Sequence, residues 1–400
     1  MGIVISVIAA TATGQTLRAH AAYAQQCADP YSAVRDRSNP LGLARPPGAD
    51  PLTGGKFFVD GPRHGDAAGA IARLLGIDPT SYPDSYSWGR FRYDLNHGAL
   101  HSRVQDDPAV AYQVQMLEKI AAAPEEQRFS LYAAGGGPGA IFGQVQKIFC
   151  GNLTADRGSI PIVTTFFLYQ AGYCESRRQI LANQPNFDRQ IDEMAAGIER
   201  RPAVMLLEID GVATSKCSGQ GGLSAWEADL RYEIARISAL PHTVVYVEGG
   251  YADANGPRYT ARVLNAIGVR KLRGFFTNDG HNDWTTHEIR WGEQVSKLTH
   301  GSHFIVNTSS NGRGPKLNPH PVTQGVEDLC NPPRRGMGPP ETTHTGFKLV
   351  DAYLWTGVPG NSSGPCRGGP DPGDFWVARA IDLAANAQDK LGPQRPARPY

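Results

Sequence analysis

The chain has 400 residues, of which 40% are hydrophobic, which is enough for one large domain or two modest ones and unlike a disordered or fibrous protein. Its 39 basic residues balance 38 acidic residues, so the net charge is +1, and the basic residues form no block. Nucleic acid and an anionic membrane surface are therefore excluded as obvious partners, and a neutral ligand is favoured.

The amino-terminal segment has features of a secretory signal. An apolar run extends from Ile3 to Ala10, and Ala22 and Ala24 have the spacing of a small-residue cleavage site. The run is too short to span a bilayer as a helix, and no other segment qualifies. We therefore expect residues 1–24 to be a secretion signal and the protein to be extracellular. No Lys or Arg precedes the run, so a start further upstream and a simple hydrophobic tail are the alternatives.

Six cysteines, an even number, are spread along the chain without a CxxC pair or clustered histidines that would suggest zinc. They are Cys27, Cys150, Cys174, Cys217, Cys330 and Cys366. Structural disulfides in an exported protein explain them most simply and agree with the signal. Reduced, buried cysteines in a cytosolic protein are the alternative.

The chain reads as one domain between two irregular segments. Residues 25–49 are rich in Pro, Asp and Arg without a period, which predicts an irregular lead-in. No internal repeat, linker or appended module follows, so residues 50–390 are predicted to form a single domain of catalytic size. Residues 391–400 are expected to be a polar tail.

Seven short apolar runs alternate with longer amphipathic stretches. The runs are "RFSLYAA", "IPIVTTFFLY", "AVMLLEID", "HTVVYVEG", "LRGFFTN", "HFIVNTS" and "DAYLWT". The predicted helices include "GPRHGDAAGAIARLLG", "FDRQIDEMAAGIERR", "LSAWEADLRYEIARISAL" and "YTARVLNAIG". Nearly continuous apolar strands that alternate with helices are typical of an α/β fold with a covered parallel sheet. Seven such strands suggest a barrel-like closure.

In such a barrel, functional groups lie in the loops that follow the carboxyl ends of the strands. Here those loops are rich in Asn, Asp, Glu, Gly and Ser, which hydrogen-bond sugar hydroxyls, and they include Tyr and Trp residues suited to stacking on a sugar face. The loops are "YQAGYC", "EIDGVATSKC", "EGGYADANG", "TNDGHNDW", "NTSSNGRG" and "TGVPGNSSG".

Five segments follow one another in a characteristic order: "DPLTGGKFFVDG", "RPAVMLLEID", "LRGFFTN…HNDW", "LCNPPRRGMG" and "VDAYLWTGVPGNSSG". Together they resemble glycoside hydrolase family 6, the cellobiohydrolases and endoglucanases that cleave β-1,4-glucan with inversion. The resemblance extends from about Asp50 to Asn386. It implies a distorted parallel β/α barrel of about seven strands, with a polysaccharide substrate in a cleft or tunnel across the strand ends. We expect a monomer without a cofactor or metal.

The resemblance also implies the general acid. Inversion requires an acid that protonates the leaving oxygen and a base that activates water on the opposite face, with the two carboxyl groups roughly 6.5 to 9.5 Å apart. The family carries the acid in a Glu-Pro-Asp segment at a strand end. The segment "LLEIDGV" has Glu208 and Asp210 in that frame, with Ile209 in place of proline, so Asp210 is the implied acid. A capping role at the next helix is the alternative.

Other charged family positions are altered here. Tyr173 stands where the family has an Asp that supports the acid, and Glu248 replaces another family Asp with its charge retained. In "GVPGNSSG", Gly357, Asn361 and Ser363 stand at the positions of a family Lys, Glu and Asp, the last of which is the proposed base. Tyr173, Glu248 and Ser363 are therefore candidates for catalytic support.

The water-activating group stays open between two routes. A chain of hydroxyls and waters at Ser363 is one route, and a carboxylate from a neighbouring loop is the other. Asp371, Asp374, Asp253 and Glu341 are candidates by their position in the sequence. Loss of a general base costs about a hundred- to ten-thousandfold in rate. A non-catalytic carbohydrate-binding protein is therefore the alternative to an enzyme.

The substrate contacts are predicted from the same loops. Trp284 is the candidate for stacking on a sugar, with a core or loop-anchoring role as its alternative. His281 and Asn282 beside it, together with Asn307 and Asn361 in two later loops, are candidate partners for sugar hydroxyls.

The resemblance implies two disulfides, Cys174 with Cys217 and Cys330 with Cys366. The two cysteines left over are then available to each other, a connectivity that sequence alone does not establish.

Overall fold

A computed structural model describes residues 49–130, 137–156, 158–168, 174–317 and 328–393. The expected signal, nearly all of the lead-in and Cys27 lie outside these ranges, as do Tyr173 and residues 394–400 of the expected tail. Within the described ranges, every helix is too short or too polar to cross a membrane.

Seven strands form one parallel sheet in which the spatial order is the chain order. They are β1 (Glu126–Ser130), β2 (Ile162–Phe166), β3 (Ala203–Leu207), β4 (Thr243–Glu248), β5 (Gly274–Thr277), β6 (His303–Asn307) and β7 (Val350–Leu354). Five of the predicted apolar runs contain one strand each, and the first and last runs overlap β1 and β7. β1 and β7 each pair with a single strand among the described residues, so the sheet curls into an open, distorted barrel. The predicted fold class and strand number are confirmed.

Ten α-helices are found among the described residues. They are α1 (Asp66–Leu74), α2 (Trp88–Leu95), α3 (Gly98–Gln105), α4 (Pro108–Ala121), α5 (Ala140–Cys150), α6 (Arg177–Ile198), α7 (Gly219–Ile237), α8 (Pro257–Ile267), α9 (Thr285–Leu298) and α10 (Val377–Ala385). Helices α5 to α9 connect the strands in turn, which is the usual way to join parallel neighbours.

Helix α6 begins earlier than its apolar periodicity predicts. The predicted helix starts at Phe187, whereas α6 starts at Arg177 and runs through Pro185. A capping box explains the earlier start, because the side chains of Ser176 and Gln179 bond each other's backbone N–H groups. This cap stabilises the first turn, and the helix continues through Pro185 further along.

Apart from β1, which is mostly polar, the strands are largely apolar because both faces of the sheet are buried. On β3, Ala203, Met205 and Leu207 belong to the core that packs against helices α5 to α9. Val204 and Leu206 point the other way, into the barrel interior. A third core unites α1 to α4 with α10 and includes residues just after β7, which anchors the loop that follows that strand.

A buried ionic network joins strands near the amino edge of the sheet. Arg273 donates two hydrogen bonds of 2.7 Å to Asp351, which also accepts from Tyr246 at 2.7 Å and contacts His303 Nδ1 at 2.8 Å. Burial alone would raise the pKa of Asp351, but the hydrogen bonds from Arg273 and His303 outweigh it and hold the pKa below its ordinary value. The network therefore links β4, β6, β7 and the residue before β5.

Both disulfides implied by the family resemblance are present, between Cys174 and Cys217 and between Cys330 and Cys366. Cys150 is disulfide-bonded as well, and Cys27, the cysteine left over with it, lies outside the described residues. The second disulfide ties the segment before residue 331 to the end of the loop that follows β7.

We expect Asp351→Asn to lower the free energy of unfolding by about 3–5 kcal/mol, because it leaves Arg273 without its anionic partner. The matched control is Asp192→Asn, which removes an anion from an exposed pair with Arg236 and should cost about 1 kcal/mol or less. Urea unfolding under non-reducing conditions measures both. Equal costs for the two variants would contradict a stabilising role for the buried network.

Candidate active site

A cleft lies across the carboxyl ends of the strands. Its volume is about 1690 Å³, which exceeds the roughly 300–1,000 Å³ that is usual for a small-molecule site. Residues from the loops after β3, β4, β5, β6 and β7 line it, among them Asp210, Tyr251, Asp279, Ser310 and Asn361. The parallel sheet therefore brings five distant loops to one surface that is large enough for an oligomer.

Asp210 lies in this cleft, three residues beyond the end of β3. Its backbone has a φ of +61°, and that of Glu208 has a φ of +51°, a left-handed conformation that is costly for residues other than glycine. The Asp210 carbonyl accepts hydrogen bonds from the N–H of Thr214 at 3.1 Å and from its hydroxyl at 2.8 Å. Tyr251 donates its hydroxyl proton to Asp210 Oδ1. The turn thus presents a half-buried carboxyl group to the cleft.

Glu208 supports the turn from below. It is fully buried and accepts hydrogen bonds from the backbone N–H groups of Phe167 and Leu168, each at 2.9 Å. Burial raises the pKa of Glu208 to about 7, against the lowering effect of those two N–H groups. Its side chain therefore joins the end of β3 to the end of β2 and does not line the cleft.

Glu248, at the end of β4, also contacts the turn that contains Asp210. It is fully buried, and its Oε2 accepts from the N–H groups of Val212 at 2.8 Å and Ala213 at 3.0 Å. Burial raises the pKa of Glu248 to about 8, and the negative charge of Asp210 adds to this effect. Catalytic support by Glu248 stays a prediction; its side chain contacts the turn that contains Asp210 and is not among the described residues that line the cleft.

The rings of Tyr251 and His281 stack beside Asp210. Their centroids are 3.7 Å apart and their planes are inclined by 18°. His281 Nδ1 lies 2.9 Å from Asp253 Oδ1, so the aspartate orients the imidazole. Burial and the charge of Asp210 hold the pKa of the Tyr251 phenol well above its ordinary value, so the phenol stays a hydrogen-bond donor. The sequence analysis named His281 but missed Tyr251.

Two further charged residues of the cleft were also missed. Asp279, just beyond β5, is 5% exposed, and its Oδ1 accepts from the hydroxyl of Thr356 at 2.6 Å. Arg128 of β1 donates to Glu126 at 2.7 Å and to the carbonyl of Thr356 at 3.2 Å. A Cβ atom on Gly357 would lie 3.4 Å from Arg128 Nη2 and 3.6 Å from Asp279 Oδ1. Arg128 therefore places a cation beside the position where the family pattern has a lysine.

The charges around Asp279 shift its pKa in opposite directions. Burial raises its pKa to about 7; the guanidinium of Arg128 lowers it, while the negative charges of Glu126 and Asp210 raise it further. Asp210 and Glu126, which both line the cleft, thus interact electrostatically with Asp279.

The loop at 358–366 is held firmly without a carboxylate. Asn361 and Ser363 both line the cleft. The N–H of Ser363 donates to Asn331 Oδ1 at 2.8 Å, and Asn331 donates in turn to the carbonyl of Gly364 at 2.8 Å. The positions of the family's Glu and Asp therefore carry neutral side chains, on a loop whose backbone is held by hydrogen bonds.

Three predicted substrate contacts are not among the described residues that line the cleft. Asn307 is buried, and its amide joins the backbone of Asn278 at 2.9 Å to that of Thr356 at 3.2 Å. Asn282 is also buried. Trp284 packs where a Cβ atom on Gly314 or Gly392 would overlap its indole. Tyr173 lies outside the described residues.

The indole contact belongs to a larger attachment at the end of the domain. Thr286, two residues after Trp284, donates its N–H to the carbonyl of Leu391 at 2.9 Å and its hydroxyl to that of Pro393 at 2.8 Å. Residues 391–393 therefore lie along the start of α9.

The other carboxylates named as base candidates lie in three different settings. Asp371 and Asp374 are exposed at the cleft. Asp253 contacts His281, as described above. Glu341 is enclosed, accepts from the N–H of Trp355 at 2.8 Å and has a pKa raised by burial to about 8. No group of three or more His, Cys, Asp or Glu residues suited to a metal occurs in the described part of the chain.

The buried charge of Glu248 should make stability depend on pH. Its folded-state pKa of about 8 exceeds its ordinary value, so the folded state binds the proton more tightly and stability falls as pH rises from about 5 to about 8. In Glu248→Gln, the amide oxygen still accepts from Val212 and Ala213. The difference between the Tm of the variant and the Tm of wild type should therefore shift in favour of the variant as pH rises from about 5 to about 8. A constant difference in Tm would contradict the assignment.

Comparison with known proteins relates this arrangement to a family. Endoglucanase A of Cellulomonas fimi is 29% identical over 274 residues, which cover 68% of this chain and 56% of that protein. Endoglucanase 1 of Streptomyces halstedii is 29% identical over 222 residues, covering 52% of this chain and 64% of that protein. The chain thus spans little more than half the length of the first relative and less than two thirds of the second.

A solved structure of the endoglucanase Cel6 from Mycobacterium tuberculosis, in complex with a thio-linked cellobioside, superposes with a TM-score of 0.63. It is 28% identical and covers 84% of this chain and 99% of its own. The family model described as "Glycosyl hydrolases family 6" matches residues 172–387, which is more than half of the chain. From the fold, the cleft and this match, the chain belongs to glycosyl hydrolases family 6.

Proposed function

We propose that this protein is a secreted glycoside hydrolase that cleaves β-1,4-glucan, or a related polysaccharide, with inversion at the anomeric carbon. Asp210 is the general acid. The observation that carries this proposal is the position of Asp210, whose strained turn projects a carboxyl group into the cleft beside Tyr251.

The nature of the substrate is supported by the cleft and the relatives. The open cleft exceeds the volume of a small-molecule site and carries hydroxyl and amide groups such as Ser310, Ser363 and Asn361. These groups suit a neutral, hydroxyl-rich polymer. Two similar proteins are named endoglucanases, and another is named a probable 1,4-beta-D-glucan cellobiohydrolase, from Aspergillus niger, which is 24% identical.

Secretion is supported by the cysteines and the amino-terminal segment. Among the described residues, five of the six cysteines are disulfide-bonded, a state that is typical of oxidising, extracellular environments. The apolar run with small residues at a cleavage-like spacing agrees with export.

One observation favours a second candidate function. The loop at 358–366 presents Asn361 and Ser363 to the cleft where a hydrolase of this family has charged groups. A non-catalytic carbohydrate-binding protein that retained the cleft and lost the chemistry fits this loop.

We expect wild-type protein to release reducing sugar from at least one β-1,4-linked polymer in a panel. Asp210→Asn should lower the rate by about 10²–10⁴-fold, because the leaving oxygen then departs without a proton. The control is Asp106→Asn, which removes an exposed aspartate at the end of α3 and should leave the rate unchanged.

Activity that is indifferent to Asp210→Asn would contradict the assigned acid. Retained polysaccharide binding without hydrolysis of any polymer would favour the binding-only function.

A further inference from the structure

The inference concerns the group that activates water, and it rests on the proposed hydrolysis. An inverting site needs a second carboxylate that faces Asp210 across the space for the sugar and can hold a water molecule. The loop at 358–366 presents none.

The cleft is also lined by Asp66, Glu125 and Glu126. Glu125 accepts from the backbone N–H of Asp66 at 2.9 Å, and Glu126 accepts from Arg128 at 2.7 Å. Asp66 has no side-chain hydrogen bond among the described residues, so it is not held as a catalytic base must be.

Glu248, Asp253 and Glu341 form other contacts. Glu248 is buried beneath the turn and accepts two backbone N–H groups. Asp253 contacts His281. Glu341 accepts from a backbone N–H behind β7. None of the three is among the described residues that line the cleft.

The exposed carboxylates at the cleft have other neighbours. Asp374 lies near Asp66. The negative charge of Asp374 raises the pKa of Asp66. The backbone carbonyl of Asp374 accepts from the N–H of Ser362 at 2.9 Å, and the N–H of Asp374 donates to the carbonyl of Asp371 at 3.1 Å. Neither Asp371 nor Asp374 is held by a side-chain hydrogen bond among the described residues, so neither is fixed as a catalytic base must be.

Asp279 is the described carboxylate that fits this requirement best. It lines the cleft, interacts electrostatically with Asp210 and lies beside Gly357, at the base of the loop that carries the family's proposed base position. Thr356 holds its Oδ1 at 2.6 Å, whereas no hydrogen bond to Oδ2 occurs among the described residues. One oxygen is therefore anchored and the other is available to a water molecule.

We propose that Asp279 is the general base of this enzyme, supplied from the end of β5 in place of the carboxylate that the loop after β7 lacks. Arg128 balances the added negative charge, because its guanidinium lies next to both Gly357 and Asp279. Arg128 and Asp279 thus supply a cation and an anion beside Gly357, in the loop that lacks the family's Lys and Asp.

The reaction step balances without any further reactant. The water oxygen forms a bond to the anomeric carbon while the bond from that carbon to the glycosidic oxygen breaks, and the electron pair stays on the leaving oxygen. Asp210 gives its proton to that oxygen, and Asp279 takes a proton from the attacking water. Exchange with solvent restores both groups.

The electrostatic surroundings agree with this role. Arg128 and Glu126 of β1, Asp210 after β3 and Thr356 after β7 all act on the Asp279 carboxyl group. Together with burial they set its pKa at about 7. Such a group is a stronger base than an ordinary aspartate and is ionised above neutral pH.

The test uses cellohexaose and β-cellotriosyl fluoride, because fluoride departs without a proton from an acid. Asp279→Asn should lower kcat by about 10²–10⁴-fold on both substrates, with KM unchanged. Sodium azide should restore much of the rate on the fluoride and yield the α-glycosyl azide, since azide needs no base. Asp210→Asn should lose activity on cellohexaose and keep it on the fluoride.

Asn is isosteric with Asp and its amide oxygen still accepts from Thr356. Calorimetric binding of cellohexaose by Asp279→Asn should therefore match that of the acid variant, which shows that the site is intact. Asp374→Asn tests the competing assignment, in which Asp374 is the base.

Wild-type rates in Asp279→Asn, a loss that azide does not rescue, or a loss in Asp374→Asn instead would each overturn the base assignment while the hydrolase stands. A wild-type protein that is inert on both substrates would overturn the proposed function and the base assignment together.

Discussion

The guanidinium of Arg128 is the interaction on which the rest of the site depends. The sheet is open between β1 and β7, and this side chain crosses the opening from β1 to the carbonyl of Thr356. It also neutralises Glu126, which is buried and would be costly to ionise alone. Its removal would leave both Glu126 and Asp279 as poorly compensated anions at the carboxyl edge of the barrel.

Charge burial organises the rest of the cleft in the same way. Glu208 and Glu248 each accept backbone N–H groups and brace the turn that contains Asp210. The positive φ at Glu208 and Asp210 is sustained by these contacts, since local strain persists only where surrounding structure over-determines it. The geometry of Asp210, the proposed acid, therefore depends on residues that are not among the described ones lining the cleft.

The sequence predicted the strands well because all but the mostly polar β1 lie in or beside a nearly continuous apolar run. It predicted Asp210, His281, Asn361 and Ser363 as residues of one edge because parallel strands end together. It did not predict the proximity of Arg128 to Thr356. These residues are 228 positions apart, and their contact depends on how far the sheet curls, which no local pattern encodes. The periodicity of α6 likewise missed ten residues that a capping box recruits.

The placement of Trp284 shows the same limit and has a practical consequence. Its indole fills a gap between Gly314 and Gly392, and Thr286 binds Leu391 and Pro393. Residues 391–393 thus behave as part of the folded unit, although their composition is that of a spacer. Anyone joining a second module to this domain, such as an affinity handle or a carbohydrate-binding partner, should place the junction after Pro393, so that the contacts of Leu391 and Pro393 with Thr286 are kept.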